Sequence, residues 1–225
     1  MSLYVLGDTH KRKDLEKLLS IDHLKDDDYV LITGDFGITL PTLDKEMLEE
    51  IEKKNFTTLF IDGNHEGFSC LNSYPIKIWN NGMIHRISNK VIHLMRGQVF
   101  EIEGKRIFTF GGAQTLDKLD KKEGIEWWKE ELPTYKEMDE GIKNLKKYNN
   151  TVDYIFTHDT RTSTLNYLCS MFNFKPYPDP LNEYLEDIYN SVEFRHWYFG
   201  HFHLDLENIK ENEETLVFNN LIKVI

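Results

Sequence analysis

The first sixty residues constrain the fold more than any other part of the chain. Short apolar runs at residues 3–6, 29–33 and 57–61 are rich in β-branched and aromatic side chains, and helix-like segments at 13–19 and 43–53 separate them. This βαβαβ order predicts parallel strands buried on both faces, because a parallel neighbour needs a crossover and the crossover helices cover the sheet. Two more runs of the same kind, Tyr154–Thr157 and 197–199, come late in the chain. Between about 76 and 110 the pattern changes. Runs at 83–87, 91–95 and 99–102, broken by Asn-Gly and Glu-Gly, predict consecutive antiparallel strands. A helix is expected over 134–148, with Thr134 as N-cap and Glu137 closing a capping box. Another is expected over 181–189, and strand-like segments at 215–218 and 221–224 close the chain. No repeat, low-complexity tract or linker intervenes, so a single α/β domain over residues 1–225 is expected.

A chain of 225 residues, 40% of them hydrophobic, is large enough to bury one substantial core. No stretch approaches the roughly 18 unbroken apolar residues of a membrane span, and the N-terminus lacks the basic-then-apolar order of a secretion signal. Cys70 and Cys169 have no CxxC spacing and read as incidental buried thiols, so a reducing, cytoplasmic location is expected. The net charge of -11 disfavours nucleic acid as a partner. That argument is modest, since bound divalent cations invert the sign of an acidic site locally. Nothing in the sequence specifies an oligomeric state.

Function is indicated by where metal-competent side chains fall. Asp8 and His10 follow the first strand, Asp35 the second, and Asn64 and His65 the third; His158 ends the run at 154–157, and His201 and His203 follow the run at 197–199. Each therefore lies just beyond the carboxyl end of a buried strand, the edge where open α/β sheets bind ligands. Asp8, His10, Asp35, Asn64, His158, His201 and His203 are too many donors for one ion. They suit two ions about 3.5–4 Å apart sharing a bridging carboxylate. With imidazole and carboxylate on offer and no thiolate, manganese is expected first, with iron or zinc as alternatives.

Asp-x-His, Gly-Asp, Gly-Asn-His-Glu, a lone strand-end His and Gly-His-x-His, in this order from Asp8 to His203, resemble the motif set of the calcineurin-like metallophosphoesterases. The segment from Gly111-Gly112-Ala113-Gln114 to Trp127-Trp128 resembles small bacterial and phage-type members. The resemblance implies two stacked mixed β-sheets flanked by helices, a four-layer α/β/β/α arrangement. It implies one metal on Asp8, His10, Asp35 and His203, and a second on Asp35, Asn64, His158 and His201, with Asp35 bridging. It also implies His65 beside the leaving-group oxygen. The chain departs from the serine/threonine protein phosphatase branch, which has Gly-Asp-x-x-Asp-Arg-Gly where this sequence has Ile38 and Thr39. That branch also carries Arg where this sequence has Asp62.

The expected activity is hydrolysis of a small-molecule phosphomonoester or phosphodiester by a hydroxide held between the two metals, with His65 as general acid. Asn64 and Arg161 are the candidates for binding the phosphoryl group, Arg161 through its bidentate fork. Protein phosphatase activity is the alternative. A non-catalytic metal-binding scaffold is weaker still, because no ligand is missing. The remaining histidines, His23, His85, His93 and His196, read as surface or satisfied core residues. Trp127-Trp128 reads as local packing, Lys11-Arg12-Lys13 as a solvated helix start, and Gly111-Gly112 as a tight turn.

Overall fold

The computed structural model describes residues 1–39, 41–115, 118–175, 177–209 and 213–225. In chain order the elements are β1 (Leu3–Leu6), α1 (Glu16–Leu19), β2 (Asp28–Ile32), α2 (Pro41–Glu52), β3 (Phe56–Phe60), α3 (Phe68–Leu71), β4 (Ile76–Trp79), β5 (Gly82–Arg86), β6 (Val91–Leu94), β7 (Gln98–Ile102) and β8 (Lys105–Phe110). Then follow α4 (Tyr135–Lys147), β9 (Tyr154–Thr157), α5 (Thr162–Phe172), α6 (Pro180–Ser191), β10 (His196–Phe199), β11 (Leu206–Ile209), β12 (Glu214–Leu216) and β13 (Ile222–Lys223).

Two mixed sheets result, ordered β13-β1-β2-β3-β6-β5-β4 and β11-β12-β10-β9-β8-β7. Their alternating side chains make three apolar layers. Leu3, Val5, Leu31 and Leu59 of the first sheet meet Ile107, Phe156 and Tyr198 of the second in the middle. Leu6, Val30, Ile32 and Phe60 turn outward onto Leu18, Met47 and Ile51. On the far side Phe108, Ile155, Trp197 and Phe199 turn outward onto Leu145, Leu168, Leu185 and Ile188. Burial on both faces is why the parallel strands read as continuous apolar runs. The expected four-layer α/β/β/α fold is the one observed.

Beyond elements that the sequence reading does not name (α3, β4, β8, α5 and β11), two details differ from it. The expected helix at 13–19 shrinks to α1, because His10 and Lys11 adopt left-handed backbone (φ 44° and 58°) and the chain is still turning until Glu16. The middle strands do form hairpins, but β5 pairs antiparallel with β6 in the first sheet, and β7 with β8 in the second. A period-two pattern fixes the faces of a strand and says nothing of which sheet it joins. The capping box at Thr134 forms as expected, Glu137 accepting from the Thr134 N–H at 2.7 Å.

Candidate metal centre

The parallel strands deliver the donors. β1, β2 and β3 run in register side by side, and β9 pairs parallel with β10 in the facing sheet, so their carboxyl ends open onto one cleft. Asp8, Asp35, Asn64 and His158 are buried there, His10 and His201 are partly buried, and His65 and His203 are exposed. Asp8, His10, Asp35 and His203 each offer an atom within 4.8 Å of the others'. Asp35 links them to the second group: its Oδ2 lies 3.3 Å from His10 Nε2, and its Oδ1 lies 3.5 Å from His158 Nε2. His158 Nε2 is 3.3 Å from Asn64 Oδ1, and the His201 ring packs edge-on to His158 with centroids 5.0 Å apart.

Hydrogen bonding aims these groups. His10 Nδ1 donates to Asp14 (3.0 Å) and His158 Nδ1 to the Thr33 carbonyl (2.7 Å). In its neutral form each imidazole therefore turns an Nε2 lone pair toward Asp35, the outer-shell arrangement that orients metal-binding histidines. Asn64 donates its amide N–H to Thr115 (3.1 Å), which presents its carbonyl oxygen to His158. Lys17 holds the Asp8 carbonyl at 2.6 Å, and the His65 backbone N–H donates to Asp35 Oδ1 at 2.8 Å.

Glu66, wholly buried, accepts from the backbone N–H of Phe36 (2.7 Å), Gly37 (3.0 Å) and Ile38 (2.9 Å). It thereby pins the loop after Asp35, which itself sits at φ 48°. Non-glycine residues seldom adopt that conformation, and it clusters at functional sites. Asp14, Lys17 and Thr115 lie outside the sequence motifs, and Glu66 closes Gly-Asn-His-Glu without an assigned role. Of the other three, Asp14 has a local signal, its i+4 spacing from His10.

The cleft is short of positive charge. Asp8 Oδ2 is buried without a hydrogen-bond donor, 3.3 Å from His203 Nε2. Burial alone would lower the His10 and His158 pKa values, yet the Asp35 carboxylate, helped by Asp8, raises both. Burial would likewise raise Asp35, but His158 and His10 hold it well below the usual carboxylate range. His201, pressed by burial and by His158, is pushed down to about 4. Oxygen and imidazole lone pairs facing one another across 3.3–3.5 Å fit divalent cations between them.

Arg161 does not sit as expected. Its guanidinium is buried, bonded to both oxygens of Glu214 (3.1 Å each) and to Glu186 (3.0 Å), and it stacks on Tyr189. A buried cation needs such partners, and three of its five N–H donors, the bidentate Nε/Nη2 edge among them, are spent on Glu214 and Glu186. Cys70 and Cys169 are buried free thiols, Gly112 takes φ 98° at its turn, and His85 and His93 are buried and bonded to each other. Trp127 and Trp128 are half-buried, and Trp128 packs against Phe68. Of the basic run, Lys11 bonds Thr39 and Asp44, and Arg12 pairs with Glu46.

Two sheets that gather hard oxygen and imidazole donors around a charge-starved cleft make the scaffold of a metal-dependent phosphoesterase. A family model for the calcineurin-like phosphoesterases matches residues 1–205, and the chain belongs to that family. Among solved structures, the phosphopantetheinyl hydrolase of Mycobacterium tuberculosis shares the fold, with a TM-score of 0.54 and 12% identity over 100% of this chain and 95% of that one. Comparison with curated proteins gave no match. The enzyme is thus a metal-dependent hydrolase of phosphate esters. Among the described residues no helix is long and apolar enough to cross a membrane.

Proposed function

We propose that the enzyme cleaves a small-molecule phosphomonoester or phosphodiester with two divalent cations, manganese before iron or zinc. One observation carries this reading: the two oxygens of Asp35 face two different imidazoles, His10 on one side and His158 on the other. Asp8, His10, Asp35 and His203 would hold one cation, and Asp35, Asn64, His158 and His201 the other. Such a pair supplies an activated water and offsets the charge of the phosphoryl oxygens.

The protein's own groups do the rest. Asp14 and Thr33 hold the Nδ1 proton of His10 and His158, so the neutral rings offer Nε2, and Thr115 keeps the Asn64 oxygen turned inward. His65, exposed beside Asn64 with its ring 5.7 Å from that of His10, is the group we assign to protonating the leaving oxygen. With Arg161 committed elsewhere, phosphate binding falls to Asn64 and the cations. Protein phosphatase action is the poorer reading, since Ile38 is buried apolar and Asp62 is bound to Arg96 and His93.

The test is turnover of metal-loaded protein on p-nitrophenyl phosphate, bis-p-nitrophenyl phosphate and an alkyl phosphate, with and without His65→Asn. A positioned acid contributes roughly 100- to 10,000-fold when the leaving group is poor. His65→Asn should therefore approach that loss on the alkyl ester, lose far less on the nitrophenyl esters, and keep its metal. Equal losses on both would remove His65 from acid catalysis, and absence of turnover on every ester would refute the proposal.

A further inference from the structure

Beside the metal centre lies a pit of about 240 Å³. Phe68, Leu71, Met95 and Leu132 supply apolar walls, and Asp62, His85 and His93 are buried at its base. Its rim, including Asn72, Lys129, Glu130 and Thr134, is exposed and polar. Asn64 bonds Thr115, the Thr115 backbone N–H donates to Glu131, and the neighbours of Glu131, Glu130 and Leu132, line the pit, so the pit lies next to the metal centre.

The cations here are already matched. Arg96 donates through Nε to Asp62 (2.8 Å) and through Nη2 to the Glu130 carbonyl (2.7 Å), and it lies 3.6 Å from Glu137. Lys129 is paired with Glu123 at 3.2 Å. The lining therefore does not select an anion, and its apolar walls favour an uncharged group.

The histidines specify more. Asp62 bonds His93 Nε2 (3.2 Å), and His93 Nδ1 meets His85 Nδ1 at 3.1 Å. A carboxylate only accepts, so Nε2 of His93 carries the hydrogen. In the neutral pair His93 Nδ1 must then accept, and His85 Nδ1 must donate. This leaves His85 Nε2 a bare acceptor, with no protein partner among the described residues. Burial and the neighbouring His93 push His85 down to about 4, which keeps that acceptor unprotonated at neutral pH.

We propose that the pit is the leaving-group subsite, and that it takes a small, uncharged, largely apolar group with an N–H or O–H that donates to His85 Nε2. Its volume of about 240 Å³ is below the roughly 300–1,000 Å³ of sites for drug-sized ligands, so the group is small. This rests on the phosphoesterase reading above, and it names part of the substrate.

Indole and benzofuran have the same shape and differ in the N–H, so they are the probes. Titrated at pH 8 into the metal-loaded full chain and followed by NMR of ¹⁵N-labelled histidine, indole should bind about three- to tenfold more tightly than benzofuran, the ratio one neutral hydrogen bond gives. It should shift the His85 Nε2 resonance and raise KM for p-nitrophenyl phosphate without changing kcat. His85→Phe should equalise the two probes, and Leu132→Trp, at the half-buried mouth, should exclude both. Equal affinities in the unaltered protein, no saturable binding, or indole binding without competition would each overturn the proposal. If no ester is turned over at all, the phosphoesterase reading falls while the binding comparison still decides whether His85 selects an N–H.

Discussion

Glu66→Gln isolates what holds the loop of Asp35, the proposed bridging carboxylate. In the native site one carboxylate oxygen accepts from Phe36 N–H and the other from Gly37 and Ile38 N–H. A glutamine has one acceptor. Turned toward Gly37 and Ile38 it keeps two bonds but loses their charge assistance, about 1 kcal/mol each, and its NH₂ then faces the Phe36 N–H, leaving a buried donor unpaired at about 1–3 kcal/mol. The sum, about 3–5 kcal/mol, is a large share of the roughly 5–15 kcal/mol of a typical domain, yet leaves the protein folded. Because Asp35 sits at φ 48° immediately before those amides, the loop should relax and metal affinity should fall along with global stability. Urea unfolding of the metal-free protein gives the first quantity, and calorimetric manganese titration gives the second. A stability change below about 1 kcal/mol with unaltered manganese affinity would refute the claim that Glu66 pins the loop.

Metal analysis of protein prepared without chelator should approach two ions per chain, and Asp35→Asn should lower that number; one ion bound without Asp35 under excess manganese would sink the bridging assignment. Gly63→Ala adds a Cβ that overlaps the Asp35 carboxylate and backbone nitrogen, so it should weaken metal binding strongly. Gly104→Ala, with φ 68° and open space around it, should cost about 1–2 kcal/mol of stability and leave metal binding alone. Asp179, capping α6, is pushed up to about 6 by burial and by Asp159. An acid raised in the folded state is most favourable to folding at low pH, and that contribution is lost as pH rises from about 4 to about 6. Asp179→Asn should therefore gain on the wild type by up to about 3 kcal/mol in urea unfolding between pH 4 and pH 7, and a pH-independent difference would refute the shift.

The proposed donor set is legible in the sequence because each candidate ligand carries its own local mark, a polar residue of the right type directly after a buried strand. What orients the donors carries no such mark. Lys17 reaches the Phe218 carbonyl across 201 positions, and Thr115 meets Asn64 across 51. Arg161 shows the same limit in reverse. Next to His158 it looks available to phosphate, and only the fold brings Glu214, 53 residues on, against its guanidinium. Strands β5, β6 and β7 are visible in the sequence and β8 is not named there, while the crossing between sheets depends on Met95-Arg96-Gly97, a segment with no periodicity to reveal it.

The glycines of the motifs have a reason that spacing alone does not supply. A Cβ at Gly34 would occupy the place of the His158 ring, one at Gly63 the place of the Asp35 carboxylate, and one at Gly200 would press on Asp8 Oδ1 and Thr33. Each glycine thus leaves room for a ligand delivered by a different strand. The Gly-Asp, Gly-Asn-His and Gly-His-x-His blocks consequently interlock: the third strand's turn seats the second strand's aspartate, the second strand's turn seats the histidine of β9, and the turn after β10 seats the aspartate of β1. Dense packing of this kind permits no partial fit, so a substitution at one motif is felt at the ligand of another. That mutual seating helps hold four proposed ligands, His10, Asp35, His201 and His203, at φ between 44° and 72°, a cost of about 1–3 kcal/mol each that the surrounding contacts must outweigh.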